Sequence, residues 1–160
     1  MAPPTKGEEL NEFRLPLQVF VIATRRVGDD IEYLMLLRSK ERSGFWQGVT
    51  GAPLLGEELE DAALRELWEE ARLEPLSLIP ADFSYSFSTE GPWKNLYAPG
   101  TESIKEHVFI ADINPAHRVT LSNEHVEYRW VNGDEARSLL HWPNNKLALD
   151  HCRALVEDFQ

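Results

Sequence analysis

The chain has 160 residues, of which 42% are hydrophobic and 10% aromatic, a composition typical of a folded globular protein. Its formal net charge of −11 argues against a nucleic acid polymer as partner, because binding to a phosphate backbone depends on clustered lysine and arginine. No apolar run reaches the roughly 18 residues that span a membrane, and the single cysteine, Cys152, excludes an internal disulfide bond. We therefore expect a cytoplasmic protein without a membrane partner, and the sequence leaves the oligomeric state open.

The first third of the chain is expected to form a short tail followed by a β-hairpin. Residues 1–12 are polar and contain a proline pair, which predicts a flexible N-terminal tail. The apolar, β-branched segments 15–24 and 31–38 are typical of strands, and the glycine-containing turn at 28–30 predicts a hairpin between them. A short strand that ends at a glycine is expected at 45–51.

The remainder of the chain combines further strands with helices. A helix is predicted at 57–71, where small and apolar residues recur at three- and four-residue spacings. The segment 88–104 is expected to be a functional loop, because structureless loops of this length are uncommon in compact domains. Beyond the first helix we predict four strands and then two helices, at 76–79, 83–87, 107–113, 127–131, 134–142 and 145–159. Together these elements predict one α/β domain over 13–160 with a mixed sheet.

The predicted helix at 57–71 is strongly acidic. Seven of the fourteen residues at 57–70 carry carboxylates, namely Glu57, Glu58, Glu60, Asp61, Glu66, Glu69 and Glu70. On an α-helix, Glu66, Glu69 and Glu70 project to one side, since residues three and four apart are neighbours. Carboxylates gathered at one point repel each other when empty and bind a hard divalent cation such as Mg²⁺ well. The helix is therefore either a solvated acidic face or part of a metal site.

The spacing of these residues favours the metal site. From Gly51 the chain follows the pattern Gly-x5-Glu-x7-Arg-Glu-U-x-Glu-Glu-x-Gly-U, in which U is an aliphatic residue. Eight of the nine defined positions are filled, by Gly51, Glu57, Arg65, Glu66, Leu67, Glu69, Glu70 and Leu73. This pattern resembles the signature of the Nudix hydrolases. The exception is Arg72 in place of the second glycine, where a left-handed backbone would cost about 1 kcal/mol unless the helix runs further.

The resemblance implies a fold, a cofactor and a set of site residues. Nudix hydrolases have an α/β/α sandwich with a mixed sheet, use Mg²⁺ or Mn²⁺, and cleave nucleoside diphosphates linked to another moiety. By position, Glu66, Glu69 and Glu70 are the implied metal ligands, and Glu66 is also the favoured general base. Glu57 corresponds to the outer glutamate of the motif, which orients the catalytic Arg65 or holds a second metal ion.

Four further segments are short but informative, namely FWQGVTG at 45–51, YAPG at 97–100, NEHVEYRWV at 123–131 and HWPNN at 141–145. Together they resemble the bacterial dihydroneopterin triphosphate pyrophosphohydrolases, one branch of the Nudix hydrolases. In that branch a glutamate at the position of Glu124 acts with the motif glutamates at the metal. The resemblance therefore implies Glu124 as a further ligand, and the alternative is an ordinary loop carboxylate before a strand.

Residues outside the helix are candidates for substrate binding. Trp46 and Tyr97 either stack on a base or pterin ring or pack in the core. Lys94 either meets a phosphate oxygen or remains a solvated charge. Glu106 and His107 stand at the start of a predicted strand that faces the expected site, and they are further candidates.

The function that the resemblance implies is hydrolysis of a nucleoside or pterin triphosphate to a monophosphate and pyrophosphate. The partner is then a small-molecule diphosphate or triphosphate substrate. One alternative is a house-cleaning hydrolase of modified or dinucleotide substrates. Another is a non-catalytic Nudix module that binds a nucleotide, although such modules usually lose the motif glutamates, and all of them are present here.

Overall fold

The computed structural model describes residues 13–157, so the tail predicted at 1–12 lies outside the described residues. Within this range the chain forms seven β-strands and three α-helices. In chain order they are β1 (Leu17–Val27), β2 (Asp30–Arg38), β3 (Trp46–Gln47), β4 (Val49–Gly51), α1 (Leu59–Ala71), β5 (Ser77–Ser88), β6 (Ser103–Asp112), β7 (His125–Val131), α2 (Gly133–Leu139) and α3 (Pro143–Glu157). None of the helices in this range is long and apolar enough to cross a membrane.

All seven strands belong to one sheet, whose main path runs in the order β3-β2-β1-β6-β5. Strands β1 and β6 are parallel, with Leu17 opposite Lys105 and Thr24 opposite Asp112. The other strand pairs are antiparallel, including β4 on β1 and β7 on β2. One parallel pair inside an otherwise antiparallel sheet confirms the mixed architecture predicted from the sequence.

The segment Trp46–Gly51, which we call the wedge segment, separates the two strands of the hairpin. Strands β1 and β2 pair with each other through Thr24–Val27 of β1. Closer to the start of β1, its partner is β4 at Val19–Val21, while β3 pairs with the end of β2. Gly48 joins β3 to β4, and a Cβ atom at that position would lie 2.8 Å from the carbonyl oxygen of Val21. Glycine is therefore required where the wedge segment crosses β1.

Helices cover both faces of the sheet. The side chains of β1 alternate, so that Val19 and Val21 face α1, whereas Phe20 and Ile22 face α2 and α3. The buried helical residues on the first face are Ala62, Ala63, Leu67 and Ala71. On the second face they are Ala136, Ala148, Leu149 and Cys152, and we call the apolar cluster on this face the second core. The α/β/α layering that the resemblance implied is confirmed.

One strand prediction is wrong, because the strands expected at 76–79 and 83–87 are a single strand, β5. The register between β5 and β6 shifts between Pro80 and Ser84, and Asp82 has a positive φ of 54°. Because proline has no backbone N–H to donate to the neighbouring strand, Pro80 suggests the end of a strand. The strand nevertheless continues beyond a bulge.

Other boundaries differ from the prediction by a few residues, and in two segments the difference changes a predicted element. Strand β6 begins at Ser103 rather than at residue 107, so the loop predicted at 88–104 is shorter and contains a 3-10 helix at Lys94–Leu96. The strand predicted at 45–51 is two short strands, because Gly48 interrupts the pairing. The first difference adds residues to the sheet, whereas the second removes Gly48 from it.

Helix α1 ends at Ala71, and the next residue, Arg72, caps it in a left-handed conformation with φ 57° and ψ 38°. Its backbone N–H donates to the carbonyl oxygen of Trp68 at 2.9 Å, which closes the last turn. The guanidinium carbon of Arg72 lies 5.2 Å from the centre of the Trp68 ring. This cation–π contact offsets part of the roughly 1 kcal/mol that a left-handed arginine costs. The helix therefore stops at the expected position without glycine.

We predict that Leu67→Ala lowers the free energy of unfolding by about 2–5 kcal/mol, because Leu67 is fully buried between α1 and the sheet. Urea denaturation followed by tryptophan fluorescence measures the change. Leu64 lies on the same helix and is 41% exposed, so Leu64→Ala should cost less than about 1 kcal/mol. Equal losses in the two variants would contradict the packing of α1 described above.

Candidate active site

The wedge segment ends at Gly51, which lies directly against the side chain of Glu66 on α1. A Cβ atom at residue 51 would lie 1.8 Å from Glu66 Oε2 and 2.1 Å from its Cδ. The pairing of β4 with β1 places Gly51 opposite Val19 and fixes its position. The glycine therefore leaves the space that the Glu66 carboxyl group occupies.

Arg65 joins three glutamates of the sequence motif. Its Nε and Nη2 donate to the two carboxylate oxygens of Glu57 at 2.9 and 3.0 Å. Its Nη1 lies 3.3 Å from Glu66 Oε2 and 3.2 Å from Glu69 Oε1. Nη2 also donates to the carbonyl oxygen of Ala52 at 3.1 Å. The hydrogen bonds with Glu57 are the main cause that raises the pKa of Arg65, so the guanidinium keeps its charge among these carboxylates.

Glu70 is the most deeply buried carboxylate of α1. The residue is 2% exposed, and its Oε1 has no hydrogen-bond partner among the described residues. The imidazole of His125 lies beside it, with Nε2 3.8 Å from Oε1. Burial lowers the pKa of His125 to about 4, so the imidazole is neutral at pH 7 and does not compensate the carboxylate. Burial first, and then the charges of Glu66 and Glu124, raise the pKa of Glu70 well above its usual value.

Glu124 approaches the acidic residues of α1 from the start of β7. Its backbone carbonyl accepts a hydrogen bond from the N–H of Ser39 at 2.9 Å, and its side chain lies 3.5 Å from Arg42 Nη1. Burial is the main cause of the raised pKa values of Glu66 and Glu70, and the charge of Glu124 adds to both. The structure thus brings Glu124 near two of the motif glutamates.

The chemistry of these donors fits a hard divalent cation. Within residues 13–157, no three acidic, histidine or cysteine side chains are already placed to hold a metal ion. Arg65 gives a physical reason, because it holds Glu66 and Glu69 by ion pairs. These two carboxylates, Glu124 and the unpartnered oxygen of Glu70 are nevertheless the oxygen donors that Mg²⁺ and Mn²⁺ prefer. A cation would also compensate the buried charge of Glu70.

A cavity of about 760 Å³ lies beside the acidic residues. Its walls include Thr50, Gly51 and Glu124, and through Gly51 it adjoins the Glu66 carboxyl group. Three arginines also line it, and these are Arg14, Arg38 and Arg42. The volume is in the range of small-molecule sites. The cavity therefore combines carboxylates for a cation with guanidinium groups for an anion.

Aromatic side chains from three separate loops line the same cavity. Trp142 contacts Phe45 edge-on with ring centres 5.7 Å apart, and it contacts Trp93 in the same manner at 6.3 Å. His141 stacks on Phe45 at 5.4 Å. Rings in such an arrangement offer both faces and edges to a planar ligand. Phe45, Trp93 and Trp142 are not individually recognisable as substrate contacts from the sequence, because their meeting depends on how the loops fold.

The three predicted substrate contacts occupy different surroundings. Tyr97 is 4% exposed and lines the cavity. Trp46 is not among the residues that line it, because its ring packs on the second core and lies under Arg129 at 4.8 Å. Lys94 is exposed, also lies outside the lining, and its Nζ contacts Glu90 at 3.2 Å. The structure therefore brings only Tyr97 to the cavity.

A second cavity, also of about 760 Å³, lies between the C-terminal half of β1, the bulge of β5 and α3. Its polar lining includes Asp82, Asp112 and His151. Neither Gly51 nor Glu124 lines it, whereas both line the first cavity. The first cavity is therefore the candidate active site.

Comparison with known proteins relates this site to one family. A profile of the NUDIX domain matches residues 14–152 of the chain. The dihydroneopterin triphosphate diphosphatase of Haemophilus influenzae is 31% identical over 124 residues, which are 75% of this chain and 78% of the relative. The enzyme of the same name from Escherichia coli K12 is 28% identical over 142 residues, or 86% of this chain and 92% of the relative.

A solved structure gives the same relationship in three dimensions. The Escherichia coli dihydroneopterin triphosphate pyrophosphohydrolase superposes with a TM-score of 0.72 at 26% sequence identity. The superposition covers 86% of this chain and 94% of the other. The similarity therefore extends over most of the chain and is not confined to the acidic motif.

We predict that Gly51→Ala leaves the fold intact but weakens binding of Mn²⁺ at least about tenfold, because the new methyl group must displace the Glu66 carboxyl. The displaced atoms are the end of a flexible side chain, so the midpoint of thermal unfolding should fall by only a few degrees. Isothermal titration with Mn²⁺ measures the affinity. Wild-type affinity in a folded Gly51→Ala protein would contradict a role of Glu66 in holding the cation.

A second prediction concerns Glu70→Gln, which should stabilise the protein when divalent cations are removed with EDTA. A raised pKa in the folded state means that folding favours the protonated form of Glu70. This contribution to stability is fully present below the unfolded carboxyl pKa of about 4.3 and is lost as the pH rises through the higher folded-state value. Glutamine carries no charge at any pH and should not lose stability in this way.

The test is urea denaturation in EDTA between about pH 5 and about pH 8. The variant should be more stable than the wild type by about 1–3 kcal/mol at the upper end, and the difference should shrink at the lower end. Glu60→Gln is the matched control, because Glu60 is an exposed residue of the same helix. A variant less stable than the wild type at every pH would show that Glu70 has a compensating partner.

Proposed function

The chain belongs to the Nudix family of hydrolases, and on this basis we propose that it is a divalent-metal-dependent pyrophosphohydrolase of pterin or nucleoside triphosphates. Its products would be a monophosphate and pyrophosphate. The observation that carries the proposal is the buried carboxylate of Glu70, whose Oε1 has no hydrogen-bond partner among the described residues, together with a nearby cavity that combines arginines with aromatic rings. Similarity to dihydroneopterin triphosphate diphosphatases over most of the chain supports a pterin triphosphate as the first substrate to test.

In this proposal Glu66, Glu69, Glu70 and Glu124 hold Mg²⁺ or Mn²⁺. When bound, the cation would neutralise phosphate oxygens and lower the pKa of a water molecule. Glu66 and Glu69 would then turn from Arg65 toward the cation. Arg65 would keep its two hydrogen bonds with Glu57, which do not involve the other carboxylates.

Glu66 is the proposed general base, which accepts the proton of the attacking water. Burial raises the pKa of its carboxyl group, and a general base works best when its pKa approaches the operating pH. Gly51 and Arg65 contact the carboxyl group from two sides and limit its orientations. Arg65 and Glu57 thus contribute to catalysis by positioning Glu66.

The arginines that line the cavity would bind the outer phosphates. Arg38 Nε donates to the backbone carbonyl of Arg42 at 2.8 Å, and Arg42 Nη1 lies 3.5 Å from Glu124. The guanidinium group of Arg42 is therefore next to a proposed metal ligand, and Arg38 lies beside Arg42. A guanidinium can bind two phosphate oxygens in one plane, which suits a leaving pyrophosphate.

The aromatic side chains would bind the ring of the substrate. Tyr97 is the predicted contact that lines the cavity, and Phe45, Trp93 and Trp142 extend the aromatic surface. Trp46 and Lys94 remain predictions with less support, since neither lines the cavity. Hydrolysis at the α-phosphorus would leave the ring on the monophosphate and release pyrophosphate.

We predict that Glu70→Gln lowers kcat by at least about 100-fold at saturating Mg²⁺, because it removes a charged ligand at the place where negative charge develops. Glu60→Gln, from the exposed side of the same helix, should keep wild-type turnover. Steady-state assays of pyrophosphate release with both variants make the comparison. Wild-type turnover in folded Glu70→Gln protein would remove Glu70 from the metal site.

A substrate panel tests the overall reaction. Dihydroneopterin triphosphate and the common nucleoside triphosphates, incubated with Mg²⁺, should yield pyrophosphate and a monophosphate, and EDTA should abolish the reaction. Release of orthophosphate would indicate attack at an outer phosphorus. Survival of every triphosphate, together with cleavage of a dinucleotide or a nucleotide sugar, would refute the proposed substrate class while leaving the family chemistry in place.

A further inference from the structure

A buried carboxylate lies in the cavity wall at a position where the sheet pattern calls for an apolar residue. On β6 the residues that face the second core are Ile104, Glu106, Val108 and Ile110, and all four are buried. Glu106 is only 3% exposed. Burial of a carboxylate costs several kcal/mol compared with a valine or isoleucine at the same place. This cost suggests that Glu106 has a role other than packing.

The partners of Glu106 form a polar row across three strands. The strand pairing places Gln18 of β1 and Tyr85 of β5 directly opposite Glu106, one on each side. Gln18 Nε2 donates to Glu106 Oε2, and the Tyr85 hydroxyl donates to Oε1. Asn145 of α3 donates to the Tyr85 hydroxyl at 2.9 Å and, more weakly, to Oε1 at 3.4 Å. All four residues line the candidate active site.

This row holds the carboxylate in place but supplies no positive charge to it. The hydrogen-bonding groups that act on Glu106 within the described residues are an amide, a phenol and a second amide. Burial raises the pKa of Glu106, and the hydrogen bonds from Tyr85, Gln18 and Asn145 oppose that rise. Each carboxylate oxygen accepts about two hydrogen bonds, and Oε2 accepts from Gln18 alone, so it keeps one free position. Oε1 accepts from Tyr85 and has only a long 3.4 Å contact with Asn145, which a ligand donor in the cavity would replace.

We propose that Glu106 determines the ring specificity of the active site by accepting hydrogen bonds from the paired N–H donors of a 2-amino-4-oxopyrimidine edge. This edge, in which a ring N–H lies next to an exocyclic amino group, is shared by pterins and guanine. The inference rests on the proposed function, because it concerns the ring of the same triphosphate substrate. Gln18, Tyr85 and Asn145 act as positioning residues that fix the plane of the carboxylate.

The chemistry of other rings explains how such a carboxylate discriminates. The adenine edge presents a ring nitrogen acceptor beside its amino group, and uracil and thymine flank their N–H with two carbonyl oxygens. Each would direct at least one lone pair at a carboxylate oxygen. A hydrogen bond to a charged group contributes about 1.5–3 kcal/mol, which corresponds to a preference of about 10- to 150-fold for the matching edge.

Calorimetric titration of the full-length protein with GMP and with AMP in EDTA tests the inference without metal or turnover. The wild type should bind GMP at least about tenfold more tightly than AMP. Glu106→Gln, which puts an amide donor in place of one acceptor, should abolish this preference mainly through loss of GMP affinity. Glu102→Gln is the matched control, because Glu102 is an exposed residue just before β6, and it should keep the preference.

Several outcomes would overturn the inference. Equal affinity of the wild type for GMP and AMP would do so whether or not any variant folds. A folded Glu106→Gln protein that keeps the preference would assign the discrimination to other residues. Tyr85→Phe retains the carboxylate, so it should lower GMP affinity by a smaller factor and keep the preference, and loss of the preference there would assign recognition to the phenol. Failure of every triphosphate to be hydrolysed would refute the proposed function but would leave the GMP preference measurable.

Discussion

The insertion of the wedge segment between β1 and β2 is the constraint on which both parts of the candidate site depend. Strands β1 and β2 begin as a hairpin, and β3 and β4 then pair with them separately. This separation is possible because Gly48 crosses close to the backbone of β1. The wedge segment places Gln47, Thr50 and Gly51 on the cavity wall, and Gly51 in turn leaves room for Glu66. The backbone of Gly51 thus links the sheet, through its pairing with β1, to the Glu66 side chain of the acidic helix.

The carboxylates of the acidic motif differ in how far their charge is compensated. Arg65 forms ion pairs with Glu57, Glu66 and Glu69, and its two hydrogen bonds with Glu57 keep the guanidinium in one orientation. Glu70 lies beyond its reach and faces a neutral imidazole. Folding therefore leaves one carboxylate in an unfavourable environment, which is a common cost of a preorganised site.

The sequence was sufficient for features that repeat along one segment of chain. The spacing from Gly51 to Leu73 identified α1 and its acidic face, and the apolar runs identified β1 and β2. The sequence was not sufficient to predict contacts between residues that are far apart along the chain. Phe45, Trp93 and Trp142 are separated by long stretches of sequence, and only the folded loops bring them together.

Two further residues illustrate what the sequence alone leaves undecided. A glutamate at an apolar position of β6 makes the strand appear to begin after Glu106, although pairing with β1 and β5 extends it to Ser103. Trp46 has an aromatic side chain of the kind that stacks on a ligand ring, but this side chain packs against the second core beside the cavity. In both cases the chemistry of the side chain is compatible with a role in binding. Whether the residue has that role depends on which face of the sheet its side chain occupies.

The bulge in β5 has a further consequence for the protein in concentrated solution. Within residues 13–157, β5 pairs with β6 alone, so its opposite edge carries unpaired backbone groups. A long regular edge of this kind is a template for a strand from another molecule. Pro80 offers no N–H, and the left-handed Asp82 turns the backbone out of the strand geometry. An incoming strand could therefore match only a few residues on either side, and the irregularity protects the chain against edge-to-edge aggregation.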